Sequence, residues 1–323
     1  MNLDRPKIIF FGTPQFAETI LEKLVAEKYN IAAVFTRADK KAGRKQVLEK
    51  SPVKKLAEKK SIPIYQPADF VRNNVVEKIA KMRPDLIVVA AYGKILPKAI
   101  LEIPKYGSIN VHASLLPKFR GASPIQEAIL SGEKETGVTL MLMNEKMDAG
   151  EIFKQEKVMI FENDNTETIT KKLADQGAKL LIKTLPEWIS GNIKAVPQDE
   201  KKASYCRIIK KEEGRVDWNN SGKAIFNKWK AYHPWPGIFT FFSYDKRQKR
   251  IKLIDIDLLL DSDSGEETGK VVEYEGRIGV QTSRGIIILK KIQEEGKRTV
   301  SIEEFVRGKR DFLSSFLNGE IKK

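Results

Sequence analysis

With 323 residues, 41% of them hydrophobic and 31% charged, the chain has material for two domains of ordinary size and the composition of a globular protein. No apolar run approaches the roughly 20 residues that cross a bilayer, so no membrane is expected, and a single cysteine, Cys206, excludes internal disulfides and thiolate zinc clusters. The net charge of +15 points to a polyanion such as RNA as partner: residues 201–323 hold 26 Lys and Arg against 18 Asp and Glu, and residues 36–60 alone hold ten basic against three acidic side chains.

The chain opens with a β-α-β rhythm. Residues 7–11, Lys-Ile-Ile-Phe-Phe, read as a strand. Gly12-Thr13-Pro14 should turn it into a helix, with Thr13 as N-cap and Pro14 at the first helical position. Phe16, Ile20, Leu21 and Leu24 give that helix an apolar stripe, and residues 30–35 read as the second strand. The turn is not G-x-G-x-x-G, which argues against a dinucleotide site. Residues 36–52 read as a long basic loop with Gly43 as its hinge, carrying Arg37, Lys40, Lys41, Arg44 and Lys45. A helix beginning at Val53, a short strand over 62–65 and a helix over 74–82 follow.

Residues 86–91 are an apolar run expected as a buried strand, with Tyr92-Gly93-Lys94-Ile95-Leu96-Pro97 as the loop after it. A strand over 107–111 delivers Asn110 and His112, two residues apart, to one face. Ser114-Leu115-Leu116-Pro117-Lys118-Phe119-Arg120-Gly121 comes next, and a strand over 139–142 leads into Met147-Asp148-Ala149-Gly150. An amide, an imidazole and a carboxylate are thus expected at the ends of neighbouring strands, the edge at which open α/β sheets bind ligands.

Residues 164–190 form an amphipathic helix pattern with Ile169, Leu173, Leu180, Leu181, Leu185 and Trp188 on one side and Gly191 to end it. Residues 191–206 read as a polar, extended linker. Beyond them short strands near 239–242, 251–260, 271–274, 278–280 and 286–289 suggest a small β-barrel, with Ile254, Ile256 and Leu258 alternating with aspartates. Ser301 and Glu304 are spaced as a capping box that opens a final helix through Phe305, Phe312 and Phe316. The expected organisation is an α/β domain over 1–190, the linker, and a smaller barrel domain over 207–323.

Only two histidines exist, His112 and His233. As a residue type histidine exchanges protons near neutrality, and a carboxylate partner orients it. The Asn110 carboxamide can donate to a developing oxyanion. No serine or cysteine stands as an obvious nucleophile, although Ser114 can face the same way as His112, and the donor set is a poor one for a metal. These residues favour acyl-type transfer directly between two bound substrates.

Asn110-x-His112, Ser114-Leu115-Leu116-Pro117-x-x-x-Gly121 and Asp148 in Met-Asp-Ala-Gly resemble the folate-dependent formyltransferases. The resemblance covers nearly the whole chain. Phe10-Phe11-Gly12-Thr13-Pro14-x-Phe16-Ala17, Ala42-Gly43-Arg44, Ser51-Pro52-Val53-Lys54, Val216-Asp217-Trp218 and His233-Pro234-Trp235-Pro236-Gly237 are similar to the members that act on tRNA, where Asn commonly stands at the position of His233.

It implies a Rossmann-like N-terminal formyltransferase domain, an OB-like C-terminal β-barrel that binds tRNA, and 10-formyltetrahydrofolate as the formyl-donating co-substrate, with no metal. It implies that Asn110, His112 and Asp148 are catalytic and that Tyr92, Ile95, Leu96, Ser114, Leu115, Leu116 and Pro117 bound the folate slot, although Ile95 and Leu96 read equally well as core. It implies that the basic loop, through Arg37, Lys40, Lys41, Arg44 and Lys45, meets an initiator methionyl-tRNA. A cytoplasmic monomer is expected. Alternatives on the same three residues are a formyltransferase acting on an amino-sugar nucleotide and a formyltetrahydrofolate hydrolase. A non-enzymatic RNA-binding protein leaves the three residues unexplained. If the loop meets tRNA, Arg44→Ala should weaken tRNA use while sparing folate binding, and salt-insensitive tRNA affinity in the parent chain would contradict that assignment.

Overall fold

The computed structural model describes residues 5–42, 47–70, 74–244 and 247–317. In chain order the elements are β1 (Lys7–Gly12), α1 (Gln15–Ala26), β2 (Asn30–Phe35), β3 (Lys40–Ala42), β4 (Val47–Glu49), α2 (Pro52–Lys59), β5 (Ile64–Tyr65), α3 (Val75–Met82), β6 (Leu86–Ala90), α4 (Lys98–Leu101), β7 (Ser108–His112), β8 (Arg120–Gly121) and α5 (Pro124–Leu130). They continue with β9 (Glu135–Leu142), β10 (Ile152–Met159), α6 (Thr166–Ile189), β11 (Tyr205–Cys206), α7 (Gly222–Ala231), β12 (Ile238–Tyr244), β13 (Arg247–Leu259), β14 (Val271–Tyr274), β15 (Arg277–Gln281), β16 (Ile286–Glu294), β17 (Thr299–Ser301) and α8 (Ile302–Gly308).

By proximity of Cα atoms the chain divides into two compact units. The first comprises Met1–Ile125, Lys134–Phe161 and Thr168–Ile208, and the second Gln126–Glu133, Glu162–Glu167 and Ile209–Lys323.

The first unit is built on a seven-stranded sheet in the order β10-β9-β7-β6-β1-β2-β5. β7, β6, β1, β2 and β5 run parallel, and β9 and β10 are antiparallel additions at one edge. Strand order reverses between β1 and β6, so the ends of these two strands flank the switch point of a Rossmann-like sheet. A parallel strand covered on both faces is apolar throughout, and Ile8, Ile9, Phe10 and Phe11 of β1 and residues 86–90 of β6 are all buried. Ile9, Phe11, Ala33, Phe35, Ile87 and Val89 form one face and pack with Ile79 of α3 and Ile100 of α4. Phe11 stacks on Phe35 at 4.6 Å, and Phe35 on Tyr65 at 5.0 Å.

Several local expectations change in this unit. Thr13 is not the cap of α1; Pro14 holds that position and makes no side-chain bond there. The Thr13 hydroxyl instead donates to Tyr92 O at 3.2 Å and accepts from Arg37 N–H at 3.4 Å, joining the segments that leave β1, β2 and β6. Residues 36–52 are not wholly loop, because β3 and β4 pair antiparallel within them. Gly43, Arg44 and Lys45 lie outside the described residues. Residues 191–206, expected as a linker, fall in the first unit: Val196 bridges Ile152, Asp199 caps a short 3-10 turn, and β11 pairs with β8. Backbone groups of this polar stretch find partners in the unit itself, which an exposed linker would have left to water.

The second unit carries a curled antiparallel sheet, β12-β13-β16-β15-β14, with β17 on β16. Glu275 and Gly276, both at positive φ (47° and 70°), make the tight turn between β14 and β15. A bulge at Asp255 moves the buried face of β13 from Leu253 to Ile256, so Ile254 is exposed and the simple alternation expected there breaks. Ser301 caps α8 through Glu304 N–H, but that helix ends at Gly308. A 3-10 turn over Arg310–Ser314 then brings Phe312 against Phe305 and Phe242, each at 5.1 Å. Trp218 is wholly buried and donates to Thr240 Oγ1 at 3.1 Å. Among the described residues no helix is long and apolar enough to cross a membrane.

Ile9 lies at the centre of the parallel sheet with no exposure. Ile9→Ala should cost about 2–5 kcal/mol, measured as a lower urea midpoint for the transition that unfolds the first unit.

Candidate active site

β7 is the strand that places the site. Val111 points towards α6, where Gly177 leaves room for it: a Cβ on that glycine would lie 3.0 Å from Val111 Cγ1. Alternation then puts Asn110 and His112 together on the opposite face, 9% and 6% exposed. Asp148 does not come from a neighbouring strand end, as the sequence reading had it. β9 runs antiparallel to β7, with Leu142 opposite Ile109, and leaves beside the start of β7, where Met143 N–H bonds Ser108 O at 2.8 Å. Asp148 reaches Asn110 and His112 because residues 143–151 turn back over the face that carries them.

The three side chains meet there. Asn110 Nδ2 donates to Asp148 Oδ1 at 3.2 Å, and His112 Nδ1 stands 3.7 Å from the same oxygen. His112 Nε2 is 3.1 Å from Phe119 O, and a carbonyl can only accept, so Nε2 carries the hydrogen in the neutral ring. Nδ1 therefore presents a lone pair to a carboxylate oxygen, across a gap too wide for a direct hydrogen bond. Gly121 N–H donates to Asp148 Oδ2 at 2.8 Å.

Two glycines are obligatory in this arrangement. A Cβ at Gly121 would lie 2.2 Å from Cys206 O, and one at Gly150 would lie 1.6 Å from Leu142 O.

Ser114 is not a free nucleophile: it has no exposure and its hydroxyl donates to Lys118 O at 2.6 Å. Thr139 Oγ1 donates to Ser114 O at 2.6 Å and accepts from Leu116 N–H at 3.1 Å and Gln155 Nε2 at 2.8 Å. Gln155 Nε2 also bonds Leu116 O, and Pro117 O accepts from Ser204 N–H. Leu115 covers Gly137. Residues 114–117 are thus a stapled wall rather than a mobile loop.

Tyr92 and Leu96 are both 2% exposed and belong to the core cluster beneath β1 and β6, whereas Ile95 is 73% exposed. Among the described residues the Tyr92 hydroxyl has no hydrogen-bond partner, and burial pushes its pKa up to about 12, against a smaller opposing pull from Arg37.

The basic segment is anchored at its base. Thr36 and Ser51 share a hydroxyl bond of 2.8 Å, Lys54 pairs with Asp39 at 2.7 Å, and Gln66 bonds both Asp39 and Arg37 O. The Lys54 and Gln66 bonds hold the Asp39 carboxyl below the usual range. The Arg37 guanidinium lies over Gly93, where a Cβ would sit 3.4 Å from Nη1. Lys40 is exposed on β3, and the side chain of Lys41 lies outside those described.

Residues 6–185 match the family model described as formyl transferase, and residues 208–310 match formyl transferase, C-terminal domain. A methionyl-tRNA formyltransferase of Caldicellulosiruptor saccharolyticus is 45% identical over 316 residues, covering 95% of this chain and 99% of its own length. The chain belongs to the methionyl-tRNA formyltransferase family. A member from Listeria monocytogenes is 42% identical over 303 residues, 94% of this chain and 95% of that protein. The fold is shared with an N-formyltransferase of Helicobacter canadensis solved with folinic acid and dTDP-3-aminofucose, at TM-score 0.65 and 21% identity, covering 88% of this chain and 98% of that one. The formyltransferase class expected from the sequence stands, as does the α/β fold with its smaller antiparallel second unit.

Within this formyltransferase the sequence reading missed the partners of Arg120, a buried side chain at 1% exposure. It pairs with Glu200 through two bonds of 2.9 Å, holding that carboxyl below its usual range, and with Gln198 and the Tyr205 hydroxyl. All three partners lie in the supposed linker or at its end, a region whose polarity suggested only solvent. The cue available was Arg120 itself, since a buried guanidinium requires acceptors from somewhere.

An unfolded tyrosine ionises near 10, whereas folded Tyr92 keeps its proton to about 12. The stabilisation tied to its neutral form is therefore complete below pH 10 and is lost as pH rises from 10 to 12. Denaturant titrations across that range should show a smaller loss of stability in Tyr92→Phe than in the parent chain.

Proposed function

We propose that this chain transfers the formyl group of 10-formyltetrahydrofolate to the free α-amine of methionyl-initiator tRNA. The observation that carries the chemistry is the meeting of Asn110, His112 and Asp148 on one face of β7, with no free hydroxyl or thiol nucleophile placed among them by the described residues. The transfer then runs directly between two bound substrates. Support for the acceptor comes from relatives 40–45% identical over nearly the full chain, which carry the name methionyl-tRNA formyltransferase. The basic surplus adds to it, since phosphate contacts dominate RNA affinity. The Helicobacter canadensis enzyme of the same fold, solved with folinic acid and dTDP-3-aminofucose, supports the donor class rather than the acceptor.

In this reading the amine nitrogen attacks the formyl carbon, the bond from that carbon to the folate nitrogen breaks, and tetrahydrofolate leaves. The amine gives up one proton and the departing folate nitrogen takes one. Asn110 has two N–H groups and spends one on Asp148, so the second is available to the oxygen of the tetrahedral intermediate. His112 and Asp148 present two acceptors 3.7 Å apart, a gap suited to a proton arriving from the amine, directly or through water. Once protonated at Nδ1, His112 becomes a donor to the same oxygen.

Tyr92, Ile95, Leu96 and residues 114–117 bound the folate. Lys40, Lys41, Arg44 and Lys45 contact tRNA, while Arg37 borders the Tyr92-Gly93 turn. A cytoplasmic monomer is part of this reading.

The test is single-turnover transfer from labelled 10-formyltetrahydrofolate, offered methionyl-initiator tRNA and, separately, an amino-sugar nucleotide. Label should appear on the tRNA, and Asp148→Asn and His112→Ala should each slow the step by about 10²–10⁴-fold. Label on the sugar instead, or near-parental rates in either variant, would refute the assignment.

A further inference from the structure

A guanidinium taken out of water is costly unless its donors meet acceptors. Buried Arg120 meets them in a directed way. Nη1 and Nη2 grip Glu200 Oε2 and Oε1 at 2.9 Å each, and Nη1 also reaches the Tyr205 hydroxyl at 3.1 Å. Nε and Nη2 both donate to Gln198 Oε1, at 3.1 and 2.8 Å. With its oxygen so anchored, the Gln198 amide has one orientation, and Nε2 donates to two backbone carbonyls, Asp148 O at 2.8 Å and Gly150 O at 2.7 Å.

The residue beside Arg120 holds the other end of Asp148, through Gly121 N–H to Oδ2 at 2.8 Å. Asp148 needs this grip because its φ is 50°, a left-handed conformation that a residue with a Cβ leaves readily when unsupported.

We propose that Gln198, oriented by Arg120, is a positioning residue for Asp148. Arg120 and Gly121, adjacent in the chain, fix one aspartate at both ends: the side chain of Arg120 acts through Gln198 on the Asp148 carbonyl, and the backbone of Gly121 acts on its carboxylate. Loss of the Gln198 donor frees the 148–150 turn, and the carboxylate drifts from its place between Asn110 and His112. The proposal rests on the reading of Asp148 as the carboxylate that handles the amine proton.

Gln198→Ala and Gln198→Glu test it in the full chain, each alone and combined with Asp148→Asn. Glutamate keeps acceptors for Arg120 and adds an opposite charge there, so the buried arginine stays paired. It also turns a carboxylate oxygen towards the two carbonyls that Nε2 had held. Both single variants should lower kcat about 10–100-fold, the scale for supporting residues and for ångström-level misplacement. KM for folate and for tRNA should stay within about threefold. In the Asp148→Asn background neither variant should lower kcat further, because no carboxylate remains to be placed.

Parental kcat in Gln198→Glu, or the same fold loss with and without Asp148, would overturn the proposal and leave Gln198 a merely structural link. Parental kcat in Asp148→Asn alone would instead defeat the role of Asp148 itself, and this proposal with it.

Discussion

The hydrogen bond from Gly121 N–H to the Asp148 carboxylate is the constraint on which the site depends. It joins the segment that follows β7 to the turn between β9 and β10, two stretches with no sequence proximity. Both ends of the bond demand glycine nearby. Gly121 passes so close to Cys206 O that a methyl group there would overlap it, and Gly150 lies against Leu142 O in the same way. Backbone packed this closely has little freedom to drift, so the carboxylate inherits the rigidity of the sheet. Ångström-level placement of a reacting group is worth orders of magnitude in rate.

The same rigidity decides the state of His112. Phe119, at φ 60°, turns its carbonyl towards Nε2 while its own N–H is held by Ser204 Oγ at 2.9 Å. That commits the ring hydrogen to Nε2 and leaves Nδ1 to face Asp148. In that tautomer the His112 Nδ1 lone pair and Asp148 Oδ1 lie 3.7 Å apart. Asn110 completes the set by spending one of its two amide N–H groups on the carboxylate.

Some of the architecture was open to a reader of residues. The parallel strands announce themselves as unbroken apolar runs, because a strand covered on both faces has no polar side to show. The two-residue spacing of Asn110 and His112 places them on one face by the geometry of a strand alone. Amphipathic spacing found α1 and α6. Thr13 misled: a threonine before proline looks like a helix cap, yet its hydroxyl has better partners in Tyr92 O and Arg37 N–H, which only the folded sheet brings near.

What the sequence by itself determined, then, is local and periodic: the apolar strands of the parallel sheet, the helices α1 and α6, the common face of Asn110 and His112, where the charge lies, and the motifs that mark a formyltransferase. What only the tertiary structure decided is everything that depends on partners distant along the chain. The antiparallel direction of β9, the backward turn that carries Asp148 over β7, the tautomer of His112 and the enlistment of Gln198, Glu200 and Tyr205 by Arg120 all belong to this second class. The physical reason is common to them. A buried polar group must find a partner wherever the fold offers one, and hydrogen-bond geometry, unlike hydrophobic periodicity, leaves no repeating trace in the order of residues.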